Sequence, residues 1–307
     1  RLDKILGFLE TCDRFRGVWP HWINGVTKKT QPFSARDNGG DLVETSYMIQ
    51  GLLTMRQYLD STVTNENTEI HRINNLYKSV EFDWFTNGEK TLYWAWSPDY
   101  GYNLKIRGYN ETLITYLMAA SSPTHSITAD TYTLGYANNG GIKNGKSYYG
   151  YLLPLGADYG GPLFFSQYSF LGLDPRHLKD QYADYWEQNV NQSLINWAYC
   201  LANPQKYPGY GAGIWGLTAS DNPSGYGAQS PTNDLGVITP TAAISSLVYT
   251  PAQSMHVLTT GHYFLGVRLW GAYGFYAALV VTIDWRPSYT FAIVQVPILC
   301  MFEHYGH

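Results

Sequence analysis

Three carboxylates, Asp37, Asp41 and Glu44, crowd into the eight residues DNGGDLVE, around a Gly39-Gly40 pair and just ahead of the apolar run LVETSYMIQGLLTMRQYL. Asp41 with Glu44 three residues later is an acidic version of a capping box, which predicts a helix starting near residue 42. The same arrangement could carry chemistry, because acids held at a rigid helix mouth are fixed in place. Both readings stay open at this point. A second acid of interest is Glu111 in IRGYNETLITYLMAA, which follows Arg107, Tyr109 and Asn110 and opens an otherwise apolar helix. Its bland alternative is a first-turn Glu complementing the helix dipole, with Asn110 as cap.

The chemistry that would use such acids is cleavage of a glycosidic bond. It typically needs two carboxyl groups flanking the bond, one protonated and one not. A carboxyl among Tyr and Leu neighbours has its pKa raised by desolvation, as a general acid requires. Other loop acids, Asp99, Asp158, Asp221 and Asp234, sit beside Asn, Pro or Gly, where turn chemistry is the competing explanation. Glu66, Glu69, Glu81, Asp180, Asp184 and Glu187 fall at helical spacing among polar neighbours and read as solvated faces.

Other chemistries find little support. DNGGD followed by an acid is a poor calcium loop, with Leu42 at the sixth position and the Glu misplaced. The eight histidines form no HxxxH or HxH pair, and only His21, in VWPHW, lies in a loop resembling a site. No GxSxG, P-loop or GxGxxG is present. No cofactor or metal is expected. Cys12, Cys200 and Cys300 form no CxxC and lie in apolar stretches, which predicts buried, inert thiols.

The elements that must position these groups are mainly helical. Apolar periodicity predicts helices over 1–14, 42–60, 67–85, 110–120, 127–135, 178–202, 240–249 and 251–265, with weaker patterns at 161–170 and 288–305. Thr239-Pro240 and Pro251 mark first-turn starts. Long loops rich in aromatic, Gly, Asn and Asp residues alternate with them, and KSYYGYLLPL suggests a short β-hairpin near 143–153. Loops this long are uncommon unless functional. No low-complexity linker divides the 307 residues, so a single domain over 1–307 is expected: an all-α toroid of helical hairpins whose loops form a cleft.

Composition narrows the ligand. Only 14% of residues are charged and the net charge is −4, which leaves no footprint for nucleic acid. With 27 Tyr, 10 Trp and 30 Gly, the chain suits neutral polar ligands such as sugars, whose C–H faces stack on aromatic rings. Trp19, Trp22, Trp94, Trp96, Tyr149 and Trp215 are candidate platforms, with core packing as the alternative for each. His21, Arg107, Lys146 and Asp221 are further candidate substrate contacts. No segment has the uninterrupted apolar length of a membrane span.

Taken together, DNGGDLVETSYMIQGLLTMRQY, YWAWSPDYG, IRGYNETLITYLMAASSPTH, NGKSYYGYLLPLGADYGGPLFFSQYSFLGLDPR, WGLTASDNPSGY and SPTNDLGVITPTAA resemble the bacterial glucoamylase-like proteins of glycoside hydrolase family 144, which act on β-1,2-glucan. The resemblance spans nearly the whole chain. It implies an (α/α)6 toroid, inversion, no obligatory metal and a periplasmic or secreted location, and a monomer is expected. It also implies that N-terminal helices and a short C-terminal extension lie outside this sequence. By motif, Asp37, Asp41 and Glu44 match the family's acidic cluster, and Glu111 in GYNE matches the best general-acid candidate.

The C-terminal part departs from that pattern. GFYAAL has Ala277 where the family usually has Asp, and AIVQVPI has Val294 and Val296 in place of Asp and Gly. Two carboxylates expected near the cleft are therefore absent. The leading expectation is a β-glucan hydrolase, most directly one acting on β-1,2-glucan or sophoro-oligosaccharides. The alternative is a non-catalytic glucan-binding protein on the same scaffold.

Overall fold

The computed structural model describes residues 1–306. They divide into two compact units, Arg1–Gly108 with Thr112–Ile142, and Tyr109–Glu111 with Lys143–His307. The helical class expected from the sequence is what the protein has. Helices carry most of the regular structure, and among the described residues strands of two to six residues form short hairpins and one three-stranded sheet.

The first unit runs α1 (Leu2–Thr11), β1 (Trp22–Ile23), β2 (Thr30–Gln31), β3 (Gly40–Asp41), α2 (Leu42–Tyr58), α3 (Thr64–Lys78), β4 (Tyr93–Ser97), β5 (Gly101–Lys105) and α4 (Leu113–Ala120). Helix α3 packs on α1 and α2, and α2 packs on α4. Leu6, Leu9, Leu42, Ile49, Ile73, Phe82, Phe85 and Tyr116 fill the core. The antiparallel sheet β3–β4–β5 was not foreseen, although the burial of β4 alternates, with Tyr93, Ala95 and Ser97 buried and Trp94 and Trp96 partly exposed. That period of two is the signature of a strand with one covered face.

The second unit runs β6 (Lys143–Tyr148), β7 (Tyr151–Leu155), α5 (Tyr185–Ala202), β8 (Ala219–Asn222), β9 (Gly225–Ala228), α6 (Pro240–Ser245), α7 (Pro251–Thr259), β10 (Trp270–Gly271), β11 (Gly274–Phe275) and α8 (Ala292–Gly306). The β6–β7 hairpin matches the expectation for 143–153, and Pro240 and Pro251 open α6 and α7. Helix α6 packs on α7 and α8, and α5 packs on β7.

Several boundaries differ. Residues 161–170 form 3-10 turns (Leu163–Ser166 and Tyr168–Phe170) rather than a helix. Gln167 explains part of this, since its amide is spent across the unit on Ala242 O (2.8 Å) and Ser246 Oγ (3.0 Å). Helix α5 begins at Tyr185, not near 178. Asp184 is its cap, accepting from Trp186 N and Glu187 N at 3.0 and 3.2 Å, rather than a residue of a solvated helix face. Asp180 likewise closes a turn, accepting from Tyr182 N and Ala183 N. Cys12 and Cys200 are buried free thiols, as expected, while Cys300 is only partly buried. Among the described residues no helix is long and apolar enough to cross a membrane.

Candidate functional site

The acidic cluster assembles at the start of α2, within the first unit. Asp41 has extended backbone and caps the helix: Oδ1 accepts from Val43 N and Glu44 N, both at 3.0 Å. Its other oxygen, Oδ2, lies 2.9 Å from His21 Nδ1. The capping and chemical readings of Asp41 therefore describe one geometry. His21 reaches it because Asp41 N donates to Trp19 O (2.9 Å), which lays VWPHW alongside β3. Asp37 Oδ2 sits 3.2 Å from the same Nδ1, while Asp37 Oδ1 is buried without a hydrogen-bond partner. The bridge between Ser34 and Asp37 fixes that loop.

The glycine pair makes this approach possible. A Cβ on Gly39 would lie 2.1 Å from Trp96 O, inside the backbone of β4. On Gly40 it would lie 3.1 Å from Val18 Cγ1 and 3.3 Å from Phe15 Cβ. Position 39 excludes any side chain, and position 40 leaves little room for one, if the chain is to lie against β4 and still deliver both aspartates.

The electrostatics follow from burial and crowding. Burial pulls the His21 imidazole down, but hydrogen bonds to Asp37 and Asp41 outweigh it and push the pKa up to about 10. Burial raises the Asp41 carboxyl, against the pull of His21 and Glu44 N–H. The state that satisfies most groups has the proton on Nδ1, where it serves both aspartates, with Asp41 ionised between that cation and the helix N-terminus. Glu44 is pushed up to about 7, first by burial and then by the charge of Asp41. No hydrogen bond holds its carboxyl among the described residues. An ionised Asp41 thus sits beside a Glu44 carboxyl that keeps its proton close to neutrality, the division that acid–base chemistry needs.

His21 Nδ1 and one oxygen each of Asp37 and Asp41 lie within 4.8 Å of one another, a spacing that a metal ion can use. A metal ligand must present a free lone pair, however. Here Nδ1 is a donor shared by two carboxylates, so the proton holds the place an ion would take.

An aromatic ledge borders the cluster. His21 stacks on Phe33 (centroids 4.0 Å, planes at 15°), and Trp22 meets Phe33 edge-on at 5.0 Å. Trp22 is 48% exposed and Phe33 51%, so both offer a free face. Phe33 was missed in the sequence, though it shares the loop TQPFSARDNGG with the acids.

The other candidates are more scattered. Trp19 is buried, donates to Leu9 O (3.0 Å) and lies under the Arg14 guanidinium, so it is core rather than platform. Trp215 is fully buried in the core of the second unit among Tyr199, Leu217 and Ile244, and cannot stack on a ligand. Trp94 and Trp96 are partly exposed on β4. Glu111 is half-buried and precedes α4, whose cap is Thr112, so it is not a first-turn residue; its carbonyl accepts from Ser169 Oγ. Arg107 is exposed and donates to Asn138 (3.1 Å).

In the second unit Lys146 pairs with Asp158 (2.9 Å), which also accepts from Tyr148 OH (2.6 Å). Tyr149 is exposed near Tyr159. Asp221, on β8, is buried, with Oδ2 lacking a partner, and burial raises its carboxyl.

The family model described as "Putative glucoamylase" matches residues 103–307. The chain belongs to this glucoamylase family. Among its relatives, the exo beta-1,2-glucooligosaccharide sophorohydrolase (non-reducing end) of Parabacteroides distasonis is 42% identical over 329 residues, covering 99% of this chain and 46% of the relative. The chain thus spans about half the length of that curated glucoamylase-family relative. An endo-beta-1,2-glucanase from Chitinophaga pinensis, solved as a sophorotriose and glucose complex, is 51% identical with a TM-score of 0.96, over 99% of this chain and 75% of the other. A family member from Bacteroides uniformis is 49% identical with a TM-score of 0.97, over 100% and 76%. At this likeness the fold class is theirs, consistent with the α/α toroid expected from the sequence.

Proposed function

We propose that this glucoamylase-family chain, a member of glycoside hydrolase family 144, hydrolyses β-1,2-glucan or sophoro-oligosaccharides with inversion. The observation that carries the reading is the cluster at the mouth of α2: two aspartates share the His21 proton beside a Glu44 carboxyl held near pH 7. The β-1,2-glucan activities named for the relatives support the substrate class.

Roles follow from which lone pairs are free. Both oxygens of Asp41 are engaged, with two backbone donors on Oδ1 and His21 on Oδ2, so it positions rather than reacts. Asp37 Oδ1 has no donor, and Glu44 is unbonded; activation of water or positioning of the sugar ring falls to these two. Glu111 is assigned, on its GYNE motif, to protonate the leaving oxygen directly or through a substrate hydroxyl and water. Trp22 and Tyr149 serve as platforms, and Arg107, Lys146 and Asp221 as hydroxyl partners. The protein acts outside the cytoplasm, as a monomer and without a metal.

The test is a reducing-end assay with product analysis on linear β-1,2-glucan, with β-1,3-glucan, β-1,4-glucan and starch in parallel. Turnover of the first alone is expected, with the product anomer inverted by NMR. Silence on all four from folded protein overturns it. That outcome favours a second reading, a non-catalytic glucan-binding protein, which rests on Ala277 and Val294. Both are buried apolar residues where the family pattern has Asp. Glu111→Gln separates the two, abolishing turnover but not binding in a hydrolase.

A further inference from the structure

Strand β3 pairs with β4 so that Asp41 faces Ala95 and Gly40 faces Trp96. Directly opposed residues share a face of a sheet, and successive residues alternate. Trp96 therefore leaves the sheet on the face opposite to Asp41, although the two are neighbours in the pairing. On that reverse face lies a recess of about 220 Å³ lined by Phe15, Arg16, Trp84 and Trp96. Trp84 and Trp96 meet at 72° with centroids 5.5 Å apart, making a floor and a wall.

The walls are fixed before any ligand arrives. Glu81 N donates to Arg16 O (3.0 Å), tying the 15–18 turn to the end of α3. At Gly17, with φ +79°, a Cβ would lie 1.8 Å from Ser79 O, so the turn closes tightly against that segment. Arg16 then lies over the Trp84 ring at 5.2 Å, with Nη1 3.5 Å from Glu81 Oε2.

The chemistry of the recess selects its ligand. Arg16 already occupies one indole face, which disfavours a second cation, and Glu81 offsets its charge, which disfavours an anion. What remains is right-angled aromatic surface with both a donor and an acceptor at the rim, suited to a neutral polyhydroxylated ring. The volume falls below the roughly 300–1,000 Å³ of drug-sized sites, and so suits one ring.

We propose that this recess is a second carbohydrate site, holding one glucosyl unit of a glucan chain apart from the acid cluster. It tethers polymer and takes no part in bond cleavage. The identity of the sugar rests on the function proposed above; the recess itself rests on its geometry.

The test compares wild type with Trp84→Ala and Arg16→Ala for retention in gels carrying linear β-1,2-glucan and for turnover of short β-1,2-gluco-oligosaccharides. Near-UV circular dichroism checks the fold, and the exposed Arg16→Ala keeps the test alive if Trp84→Ala does not fold. Each variant is expected to weaken polymer affinity roughly 3- to 10-fold, with kcat and KM on short substrate unchanged. Wild-type retention that neither variant alters overturns the tether and leaves the hydrolase standing. Retention without turnover, lost in both variants, supports the tether and overturns only the hydrolase. Wild type that neither binds nor cleaves overturns both.

Discussion

Nδ1 of His21 lies 2.9 Å from Asp41 Oδ2 and 3.2 Å from Asp37 Oδ2, so a single proton serves two aspartates. Asp41 is wholly buried, and removing its partner leaves an uncompensated charge in the interior. His21→Gln should therefore lose about 3–5 kcal/mol at neutral pH. Urea unfolding checks this, and a loss below about 1 kcal/mol, the range of an exposed pair, would show that the proton is not shared as described.

Stability should fall as pH rises. The folded pKa of His21 is raised from 6.5 to about 10, so its contribution is complete below pH 6.5 and fades towards 10. Glu44 is raised from 4.5 to about 7, so its protonated form also favours the fold, and that contribution fades between these values. Both slopes have the same sign. Melting temperatures from pH 5 to 9 should decline, and a flat or rising profile contradicts the assignment.

Glu44→Gln isolates one of the two. The amide mimics the protonated acid, so the decline between pH 4.5 and 7 should disappear and the decline above it remain. At pH 8 the variant should be more stable than wild type by up to about 3 kcal/mol while losing turnover. Equal stability at pH 8 would mean that the carboxyl ionises as freely in the fold as in the unfolded chain.

The glycines can be ranked. Gly39→Ala meets Trp96 O at 2.1 Å and should cost about 3 kcal/mol or more. Gly40→Ala, at 3.1 Å from a Val18 methyl that can shift, should cost nearer 1 kcal/mol. Gly51→Ala, exposed on α2 with nothing within 4 Å, should instead gain about 0.5–1 kcal/mol from helix propensity. Denaturation midpoints of the three decide the order.

Two tryptophans make a complementary pair. Trp215→Ala should cost about 3–5 kcal/mol through the void left in a closed core. Trp22→Ala should leave stability within about 0.5 kcal/mol and raise KM for glucan. Calorimetry and steady-state kinetics separate the two effects.

Much of the site was written locally. Asp41 and Glu44 at capping spacing before an apolar run placed α2 and its carboxylates together, because a cap is a short-range device. Pro240 and Pro251 did the same for α6 and α7. Trp19 and Trp22 show where local reading ends. They flank the same Pro-His pair, yet one is buried and the other half exposed, and only the strand pairing around Thr30–Gln31 and the contact with Leu9 decide which. The β4 strand was legible in principle, since buried Tyr93, Ala95 and Ser97 alternate with two tryptophans, but aromatic-rich loops look alike until pairing fixes a face. That His21 is a counter-ion rather than simply a sugar contact could not be read from spacing, since its partners lie 16 and 20 residues away.

Asp41 both closes the first turn of α2 and anchors His21, with both of its oxygens engaged. A mutation there damages folding and chemistry in a single stroke, so an inactive Asp41 variant teaches nothing about the reaction. Anyone wanting a silent but intact protein, to trap a saccharide or to measure binding alone, should leave Asp41 in place and neutralise Glu44, whose carboxyl supports no other group.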